Sequence, residues 1–382
     1  MSLPEPTPEA REHGARVAAH IRQEIHSAGG WIGFERYMER ALYAPGLGYY
    51  MAGARKLGAE GDFVTAPEIS PLFGRTLAHQ VREVLALAGN EVLEVGAGSG
   101  ALAASLLCEL ERLDALPSRY LILELSPDLR RRSRDTLAGR MPHLMERIAW
   151  LNQLPPAFRG CILGNEVLDA MPVSLVCRAK GELRERGVTV ADERFAWSAR
   201  SLPEALVPRI DPSWFPFDGY CSEIQLHAQG FVKTLGDVLA RGVALFVDYG
   251  FPRHEYYHPQ RASGTLRCHY RHHAHDDPFF LPGLQDITSH IDFTAMAQAG
   301  AAGGLELLGY ANQAQFLINC GITDLIAHTP AEDPRAYLPL AAQVQKLTSP
   351  AEMGELFKVI ALGKGVTPTL LGFRSGDKRH TL

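Results

Sequence analysis

The sequence predicts an α/β protein built on a seven-stranded, doubly wound Rossmann-like sheet. A short apolar run ends at Glu94 and leads into alternating glycines, Gly96, Gly98 and Gly100, after which an apolar run with helical spacing follows at once. Strand, glycine turn and helix form the beginning of a nucleotide-binding βαβ unit. Further apolar runs alternate with helical sequence as far as residue 363, which is typical of a sheet covered by helices on both faces.

The seven predicted strands are apolar runs at residues 91–94, 120–124, 147–150, 160–166, 242–250, 305–310 and 356–363. Helical spacing precedes them at residues 10–28 and 72–88, and residues 31–43 fit a short strand or turn followed by a helix. Short alternating runs in residues 173–223 indicate a small β insertion after strand four. The predicted parts are an N-terminal helical region with a cofactor lid (1–88), the sheet core (89–172 and 242–365), a substrate insertion (173–241) and a tail (366–382).

The residues around the glycines favour a cationic cofactor. Dinucleotide sites usually read G-x-G-x-x-G and place a pyrophosphate on the helix N-terminus, whereas this turn reads E-x-G-x-G-x-G. A carboxylate ahead of the turn suits a ligand that bears a cation, and S-adenosylmethionine carries an ammonium and a sulfonium and no phosphate. The predicted contacts are Glu94, Gly96, Ala97, Gly98 and Gly100. A tight turn without any ligand is the alternative.

A second acid supports the cofactor site. Glu124 ends the next strand, 24 residues after the last glycine, and an acid about 20 residues after the glycines of such a unit accepts hydrogen bonds from ribose hydroxyls. Ser126 and Pro127 then predict the start of a helix. Trp150 and Leu151, at the end of strand three, are predicted to lie beside the adenine.

A polar, aperiodic segment, residues 61–71, stands directly before the helix that leads to the glycine turn. This position suits a lid that folds over the cofactor, with Asp62 and Thr65 as the candidate contacts. The alternative is a plain connection.

Strand four ends in polar residues, where the reactive end of the cofactor is expected. Asn165 is a predicted cofactor contact, and Glu166 and Asp169 are carboxylates able to hold a planar guanidinium. The alternative is that Asn165 and Asp169 cap a following helix. Glu223 is a further candidate carboxylate at the edge of the insertion, or an acid that interacts with a helix N-terminus.

Residues 251–295 form a long polar and aromatic segment that holds seven of the fifteen histidines. Long loops inside a compact domain are usually functional. The tract from His269 to His275, with Cys268 before it, superficially resembles metal-ligand spacing. Because arginines interrupt the tract and no paired cysteine accompanies it, we predict a substrate-contacting or packed polar loop and no metal. Asp248 is a candidate to orient these histidines.

Composition excludes several classes of function. A formal net charge of -5 gives no electrostatic reason to bind nucleic acid. No apolar run approaches the roughly 18 residues that span a bilayer. The six cysteines lack C-x-x-C spacing, which indicates reduced thiols. The N-terminus, where glutamates accompany the arginines, resembles neither a secretory signal nor a transit peptide, so a cytoplasmic location is expected.

Several long stretches resemble the MidA family (DUF185) of class I S-adenosylmethionine-dependent methyltransferases. They are residues 53–74, 164–172 and 248–261 through 290–294, and the resemblance runs from about residue 18 to residue 363. The mitochondrial members of that family are complex I assembly factors that dimethylate an arginine of a complex I subunit. The resemblance therefore implies protein arginine N-methylation, and the absence of a presequence suggests a bacterial member.

The expected function is thus S-adenosylmethionine-dependent methylation of a protein arginine, with Glu166 and Asp169 or Glu223 orienting the guanidinium. The rival hypothesis is an assembly chaperone that keeps the fold, with or without the cofactor, and catalyses no reaction. An NAD-dependent dehydrogenase is disfavoured by the glycine spacing. A protein substrate is the expected partner, nucleic acid is not, and a homodimer is left open.

Overall fold

The computed structural model describes residues 3–53, 64–327, 329 and 333–382. Within them the α-helices are α1 (Pro8–Ser27), α2 (Phe34–Tyr43), α3 (Ala66–Ile69), α4 (Pro71–Ala88), α5 (Ala101–Arg112), α6 (Pro127–Arg140), α7 (Leu226–Val238), α8 (Arg253–Tyr256), α9 (Phe293–Ala302), α10 (Gln313–Asn319), α11 (Ile322–Ala327), α12 (Pro334–Thr348) and α13 (Met353–Leu356).

The strands of the described residues are β1 (Ile32–Gly33), β2 (Glu91–Val95), β3 (Arg119–Leu123), β4 (Ile148–Leu151), β5 (Phe158–Asn165), β6 (Ser174–Ala179), β7 (Glu182–Ala191), β8 (Arg194–Ser201), β9 (Cys221–Ile224), β10 (Leu239–Phe251), β11 (Arg267–Tyr270), β12 (His273–His275), β13 (Asp286–Thr288), β14 (Ile291–Asp292), β15 (Glu306–Asn312) and β16 (Phe357–Lys364).

Serine side chains cap the N-termini of α4, before the glycine turn in sequence, and α6, after it. Ser70 accepts a hydrogen bond from the Leu72 N–H (3.2 Å) ahead of α4, and Ser126 accepts one from the Leu129 N–H (3.4 Å) ahead of α6. A proline occupies one of the first positions of both helices, where its missing N–H costs no hydrogen bond. The predicted start of a helix at Ser126 and Pro127 is confirmed.

The chain forms two compact units, each assembled from three segments. The first unit comprises Met1–Phe63, Asp169–Ala228 and Phe251–Asp292. The second unit comprises Val64–Leu168, Gln229–Gly250 and Phe293–Leu382. Stretches that are distant in sequence therefore share one unit, which is a different grouping from the four parts predicted along the chain.

The second unit contains a mixed sheet with the strand order β15-β16-β10-β5-β2-β3-β4. Neighbours from β10 to β4 run parallel, and β16 is antiparallel to both β10 and β15. Each of the seven predicted strands has a counterpart here, although the sheet has eight strands in all among the described residues. Chain order reverses between β2 and β5, and open α/β sheets bind ligands beyond the carboxyl ends of the strands at such a point.

Apolar side chains of these strands form a buried core on one face of the sheet. Val92, Ile122, Leu163 and Leu245, one from each of four neighbouring strands, are at most 1% exposed, and Leu106 of α5 is fully buried with them. Burial of one such side chain contributes about 1.5–3 kcal/mol relative to an exposed one. The core therefore holds the polar strand ends in a fixed arrangement.

The first unit contains an antiparallel sheet in the order β1-β7-β6-β9, with β8 paired to β7. Four of its strands, β6 to β9, lie where the sequence predicts a β insertion. A second, three-stranded sheet has the order β12-β11-β13, so residues 251–295 are more ordered than the long loop that their polarity suggests. An aromatic cluster closes the core, in which Tyr37 meets Phe279 edge-on at 5.2 Å and donates to the Pro278 carbonyl at 2.7 Å.

The prediction of reduced thiols is wrong for two of the six cysteines. Cys177 and Cys221 form a disulfide, because β6 and β9 pair these two residues directly opposite each other, with 4.1 Å between their Cα atoms. A separation of 44 residues hides this pairing from a search for local cysteine motifs. Cys108 is free and exposed, while Cys161, Cys268 and Cys320 are free and buried. No helix in the described part of the chain has the length and apolarity to cross a membrane.

Candidate active site

The glycine turn follows β2 as predicted. Gly96, Gly98 and Gly100 have φ values of 68°, 55° and 83°, in the left-handed region that side chains with a Cβ rarely adopt. A Cβ on Gly96 would come within 2.9 Å of a methyl group of Val167. Gly100 is the N-cap residue of α5, and the Ala101 N–H donates to the Ser99 hydroxyl at 3.3 Å. The left-handed glycines therefore allow the sharp turn that leads into the helix N-terminus.

Glu94 is a buried carboxylate beside this turn. It is 2% exposed and accepts a hydrogen bond from the Tyr120 hydroxyl at 2.7 Å. Burial raises the pKa of Glu94 to about 7, the Tyr120 hydrogen bond opposes the shift, and the charge of Glu124 adds to it. No lysine or arginine in the described ranges forms an ion pair with Glu94. A buried acid of this kind is stabilised in its ionised form by a bound cation.

Glu124 joins the end of β3 to the glycine turn. Its carboxylate accepts hydrogen bonds from the Gly98 N–H at 3.1 Å and from the Ser126 N–H at 2.9 Å. Leu125, between them, is 63% exposed. The acid is therefore held at the point where the sequence predicts a partner for ribose hydroxyls.

Trp150, at the end of β4, packs against α6. Its indole Nε1–H donates to the Ser133 hydroxyl at 3.0 Å, and the Arg134 guanidinium lies 4.8 Å from the centre of its ring system. Arg130 donates to the Trp150 carbonyl at 2.9 Å. Leu151, the last residue of β4, is half-buried. These contacts fix the end of β4, and a position beside the adenine remains a prediction for both residues.

The segment before α4 touches the same region of the second unit. Thr65 precedes α3, whose Ala66 N–H donates to Glu166 Oε1 at 3.4 Å. Glu68 of α3 accepts a hydrogen bond from the hydroxyl of Ser99 in the glycine turn. The short helix thus joins the glycine turn to the end of β5. Asp62, the other predicted contact of this segment, lies outside the described residues.

Asn165 and Glu166 stand where β5 ends. The Asn165 side-chain amide donates to Glu166 Oε1 at 3.1 Å, whereas Asn165 Oδ1 is buried and has no hydrogen-bond partner among the described residues. Glu166 is one of eight described non-glycine residues with a positive φ, at 52°; this conformation is costly for a residue with a side chain and is enriched at functional sites. A buried carbonyl oxygen without a donor fits a site completed by a ligand.

The chain after Glu166 forms a turn and no helix, since residues 166–173 contain no helical residue. The alternative in which Asn165 and Asp169 cap a following helix is therefore wrong. Asp248 stabilises the turn instead. Its Oδ2 accepts the N–H groups of Val167 and Leu168 at 3.3 and 3.0 Å, and it is 1% exposed.

Sequence reasoning missed this role of Asp248 and assigned the residue to the histidines. The available signal was its position at the end of a buried strand, β10, which is the parallel neighbour of β5. Carboxyl ends of parallel neighbours meet at one edge of a sheet.

Two predicted catalytic residues, Asp169 and Glu223, belong to the first unit. Asp169 is 4% exposed, and its carbonyl accepts the Ser289 N–H at 3.0 Å. Glu223 is 1% exposed, and its carboxylate accepts four hydrogen bonds at 2.9–3.1 Å, from the Tyr256 hydroxyl, the Thr265 N–H and hydroxyl, and the Leu266 N–H. A carboxylate has about four acceptor positions. Glu223 is thus committed to holding the turn at residues 264–266. It lies in β9, three residues before α7, and the alternative of an acid that interacts with a helix N-terminus stays a prediction.

The histidine tract lies in the three-stranded sheet of the first unit. β11 and β12 pair Cys268 with His275 and His269 with Ala274, and burial lowers the pKa of both His269 and His275. No group of three or more His, Cys, Asp or Glu side chains among the described residues is arranged to hold a metal ion.

The residues of the second unit fit S-adenosylmethionine. Glu94 is a buried acid that forms no ion pair with a lysine or arginine of the described chain, the three glycines keep Cβ atoms out of the turn, and Asn165 Oδ1 has no donor among the described residues. The ammonium group of this cofactor would pair with an acid, and its carboxylate with backbone N–H groups. Its ribose hydroxyls would donate to a second acid. Groups of these kinds are present at Glu94, the glycine turn and Glu124, so the site is compatible with this cofactor.

Comparison with known proteins gives three findings. A family model described as "Putative S-adenosyl-L-methionine-dependent methyltransferase" matches residues 72–311. The mitochondrial protein arginine methyltransferase NDUFAF7 homolog of Drosophila melanogaster is 30% identical over 409 residues, covering 96% of this chain and 90% of that protein. The protein arginine methyltransferase NDUFAF7 of Danio rerio is 28% identical over 378 residues, covering 91% of this chain and 86% of that protein.

The solved structures agree with the sequence relatives. A Burkholderia thailandensis protein crystallised with S-adenosyl-homocysteine is 51% identical, with a TM-score of 0.97 and coverage of 100% of both chains. A native structure from the same organism gives a TM-score of 0.94 at the same identity and coverage. The comparison extends over the described parts of both compact units.

Proposed function

Because the chain belongs to the MidA-type (DUF185) family of S-adenosyl-L-methionine-dependent methyltransferases, we propose that it transfers a methyl group to a guanidinium nitrogen of an arginine in a protein substrate. The enzyme class and the cofactor follow from the family. The arginine substrate is supported by the relatives, which are named protein arginine methyltransferases, and by the acid at the end of β5.

The second unit would hold the cofactor through the groups described above. Glu94 would pair with the ammonium group, the N–H groups of the glycine turn would bind the carboxylate, and Glu124 would accept hydrogen bonds from the ribose hydroxyls. When bound, S-adenosylmethionine supplies a methyl group on a sulfonium, which is already activated for displacement. The protein therefore has to position the nucleophile and exclude water.

Glu166 would orient the substrate guanidinium. An arginine side chain stays protonated at neutral pH because its pKa exceeds about 12, so an anionic group is needed to dock it. The guanidinium nitrogen forms the new N–C bond as the S–C bond breaks, and one guanidinium proton is then lost. Glu166 can stabilise the positive charge through this change. Glu223 cannot share the task in this arrangement, because its carboxylate is already saturated with donors.

One observation carries the proposal. At the end of β5 an acid with a strained backbone and an amide oxygen without a donor adjoin the glycine turn through α3.

The test is to measure methylarginine in the proteome of the source cell with and without the gene, and then to methylate the affected peptide with the purified protein. We expect mono- or dimethylated arginine to disappear from at least one peptide and to be restored in vitro by the wild-type protein. An unchanged methylarginine profile, with intact cofactor binding, would favour the chaperone hypothesis.

We further propose a cytoplasmic location, a bacterial origin and a homodimer. We also propose that the chain divides by function into a helical region with the lid, a sheet core, a substrate insertion and a tail. For the lid, the support is that α3 contacts both the glycine turn and Glu166. Asp169 is likewise kept as a candidate for positioning the substrate.

A further inference from the structure

Strand register places a disulfide, an arginine and a tryptophan on one face of the antiparallel sheet in the first unit. Leu175 of β6 lies opposite Arg186 of β7, and Cys177, two residues further along β6, lies opposite Cys221 of β9. Val188, two residues beyond Arg186, lies opposite Trp197 of β8. Residues that are directly opposite, or two apart on one strand, share a face.

Arg186 is half-buried on this face, and no carboxylate of the described chain pairs with it. Its guanidinium carbon lies 4.1 Å from the ring centre of Trp197, and its Nη1 lies 3.9 Å from Cys221 Sγ. Burial lowers the pKa of Arg186. A partly desolvated cation without a counter-ion attracts an anion to its surroundings.

A cavity of about 540 Å³ opens on the same face, lined by Cys177, Cys221, Arg178, Lys180, Arg186 and Trp197, together with Asp218. The lining thus contains three cationic residues and one acidic residue. Asp218 lies 4.0 Å from the Arg178 guanidinium, which also donates to the Phe215 carbonyl at 2.8 Å. The two half-cystines are only partly buried. A small anion that enters the cavity would meet the sulfur atoms.

We propose that the Cys177–Cys221 disulfide is exchangeable and that this cavity admits an anionic, carboxylate-bearing low-molecular-weight thiol that opens it. The thiolate of the small molecule attacks Cys177 Sγ, forms a mixed disulfide, and releases Cys221 as a thiolate beside Arg186. The thiolate of a second small molecule then attacks the small-molecule sulfur of the mixed disulfide, and this step releases Cys177 as a thiolate. Two small thiols are thereby oxidised to their disulfide, and the protein disulfide is reduced to two thiols.

The direction of attack follows from Arg186. Thiol–disulfide exchange is faster when the departing thiolate is stabilised, and a neighbouring cation stabilises a thiolate. Arg186 adjoins Cys221 Sγ, so Cys221 is the better leaving group. The buried free cysteines do not compete, because burial raises the pKa of Cys161, Cys268 and Cys320.

The experiment measures opening of the disulfide in the folded, full-length protein by alkylation and mass spectrometry. The probes are 3-mercaptopropionate, which is anionic, and 2-mercaptoethanol, which is neutral, each normalised to its rate with a small model disulfide. We expect the normalised rate to be higher for the anionic thiol. Protein that is purified with reduced cysteines is expected to close when the disulfide form of 3-mercaptopropionate is added.

Two variants separate the contributions of the cavity. Lys180→Gln should slow the anionic thiol by about 2–5-fold, the value of one exposed charge pair, and leave the neutral thiol unchanged. Arg186→Gln should slow both thiols by about tenfold, since it removes the cation beside the leaving sulfur. Both variants should keep the wild-type melting temperature within a few degrees, and this control shows that the cavity is intact.

The proposal is overturned if the disulfide opens only when the protein unfolds, if the two thiols react equally in wild type, or if Arg186→Gln has no effect on either rate. It does not rest on methyl transfer, because none of these measurements uses the cofactor or a substrate.

Discussion

Two buried or half-buried acids, Glu166 and Glu223, were candidates for the same task, and their surroundings now separate them. Glu223 accepts four hydrogen bonds from its own unit. Glu166 has a left-handed backbone conformation and stands next to an amide oxygen that meets no donor in the described part of the chain. Glu166→Gln keeps the shape and removes the charge. We expect it to cut methyl transfer by roughly a hundredfold, the size of one lost charged contact in a transition state, while cofactor affinity and melting temperature stay close to wild type.

The matched control is Glu223→Gln. An amide nitrogen would then face N–H and O–H donors, which leaves buried polar groups unpaired and costs about 1–3 kcal/mol of folding stability each. Chemical denaturation should show this loss. Wild-type turnover in Glu166→Gln, or unfolding of that variant, contradicts the assignment of Glu166.

We expect cofactor binding to depend on pH through Glu94. Burial raises its pKa to about 7, so without a ligand the folded protein keeps a proton that the unfolded chain releases near pH 4.5. Folding stability from this group is therefore present at low pH and falls by up to about 3 kcal/mol as pH rises to about 7. The bound ammonium favours the ionised acid, so affinity for S-adenosylmethionine should rise up to about tenfold per pH unit below pH 7 and then level off.

Isothermal titration calorimetry between about pH 5.5 and about pH 7, in two buffers of different ionisation enthalpy, measures both the affinity and the proton released on binding. Glu94→Gln should bind more weakly and without proton release. An affinity that is flat across this range in wild type shows that Glu94 does not meet the cation.

At the scale of elements, the turn between β5 and β6 depends on Asp248 of the neighbouring strand. Asp248→Asn replaces one carboxylate oxygen by an amide nitrogen, while Val167, Leu168 and Tyr249 all donate N–H groups to the carboxylate. At least one donor loses its acceptor, at a cost of about 1–3 kcal/mol. Because the turn positions Glu166, we expect a lower kcat together with the stability loss.

The measurement is methyl transfer under saturating cofactor, at a temperature where the Asp248→Asn variant is fully folded. Turnover should fall by roughly tenfold or more, the scale of a small misplacement of a catalytic group. Asp292→Asn serves as a control for the loss of a buried acid, since it pairs with Arg253 at 2.9 Å in the first unit. A variant with normal kcat and reduced stability would limit Asp248 to a structural role.

The strands of the second unit could be predicted because each is a local apolar run bounded by polar residues. Glu94, the glycines and Glu124 could be placed for the same reason, since they end such runs. The predictions for Asp248 and for the cysteines were wrong because they depend on pairs of residues that are distant in sequence. Asp248 meets residues 80 and 81 positions before it, and Cys177 meets Cys221 across two strands. Local patterns do not report such pairings, and a polar stretch after a strand fits a helix cap or a turn equally well.

At the scale of the whole molecule, the chain passes from one compact unit to the other close in sequence to the turn that carries Glu166. It leaves the second unit after Leu168, three residues beyond the end of β5, and again after Gly250, near the end of β10. Both strands contribute to the turn that carries Glu166. Insertions at the carboxyl ends of sheet strands are a common route by which one fold acquires different substrates, so we expect the first unit to determine which protein is methylated.

Hydrogen exchange across the entire chain tests how the cofactor contacts are distributed. A ligand that binds the folded state protects the segments it orders and stabilises the fold by RT ln(1 + [L]/Kd), about 2.7 kcal/mol at 100 times Kd. With S-adenosyl-homocysteine, protection should increase in residues 95–101, 123–126 and 64–70, where Glu124, Ser99 and Glu68 already link the glycine turn to its neighbours. NAD is the control and should protect none of them, because the turn lacks the dinucleotide spacing. If S-adenosyl-homocysteine instead left these three segments unchanged and protected only residues 251–292, the cofactor site would have to be moved to the first unit.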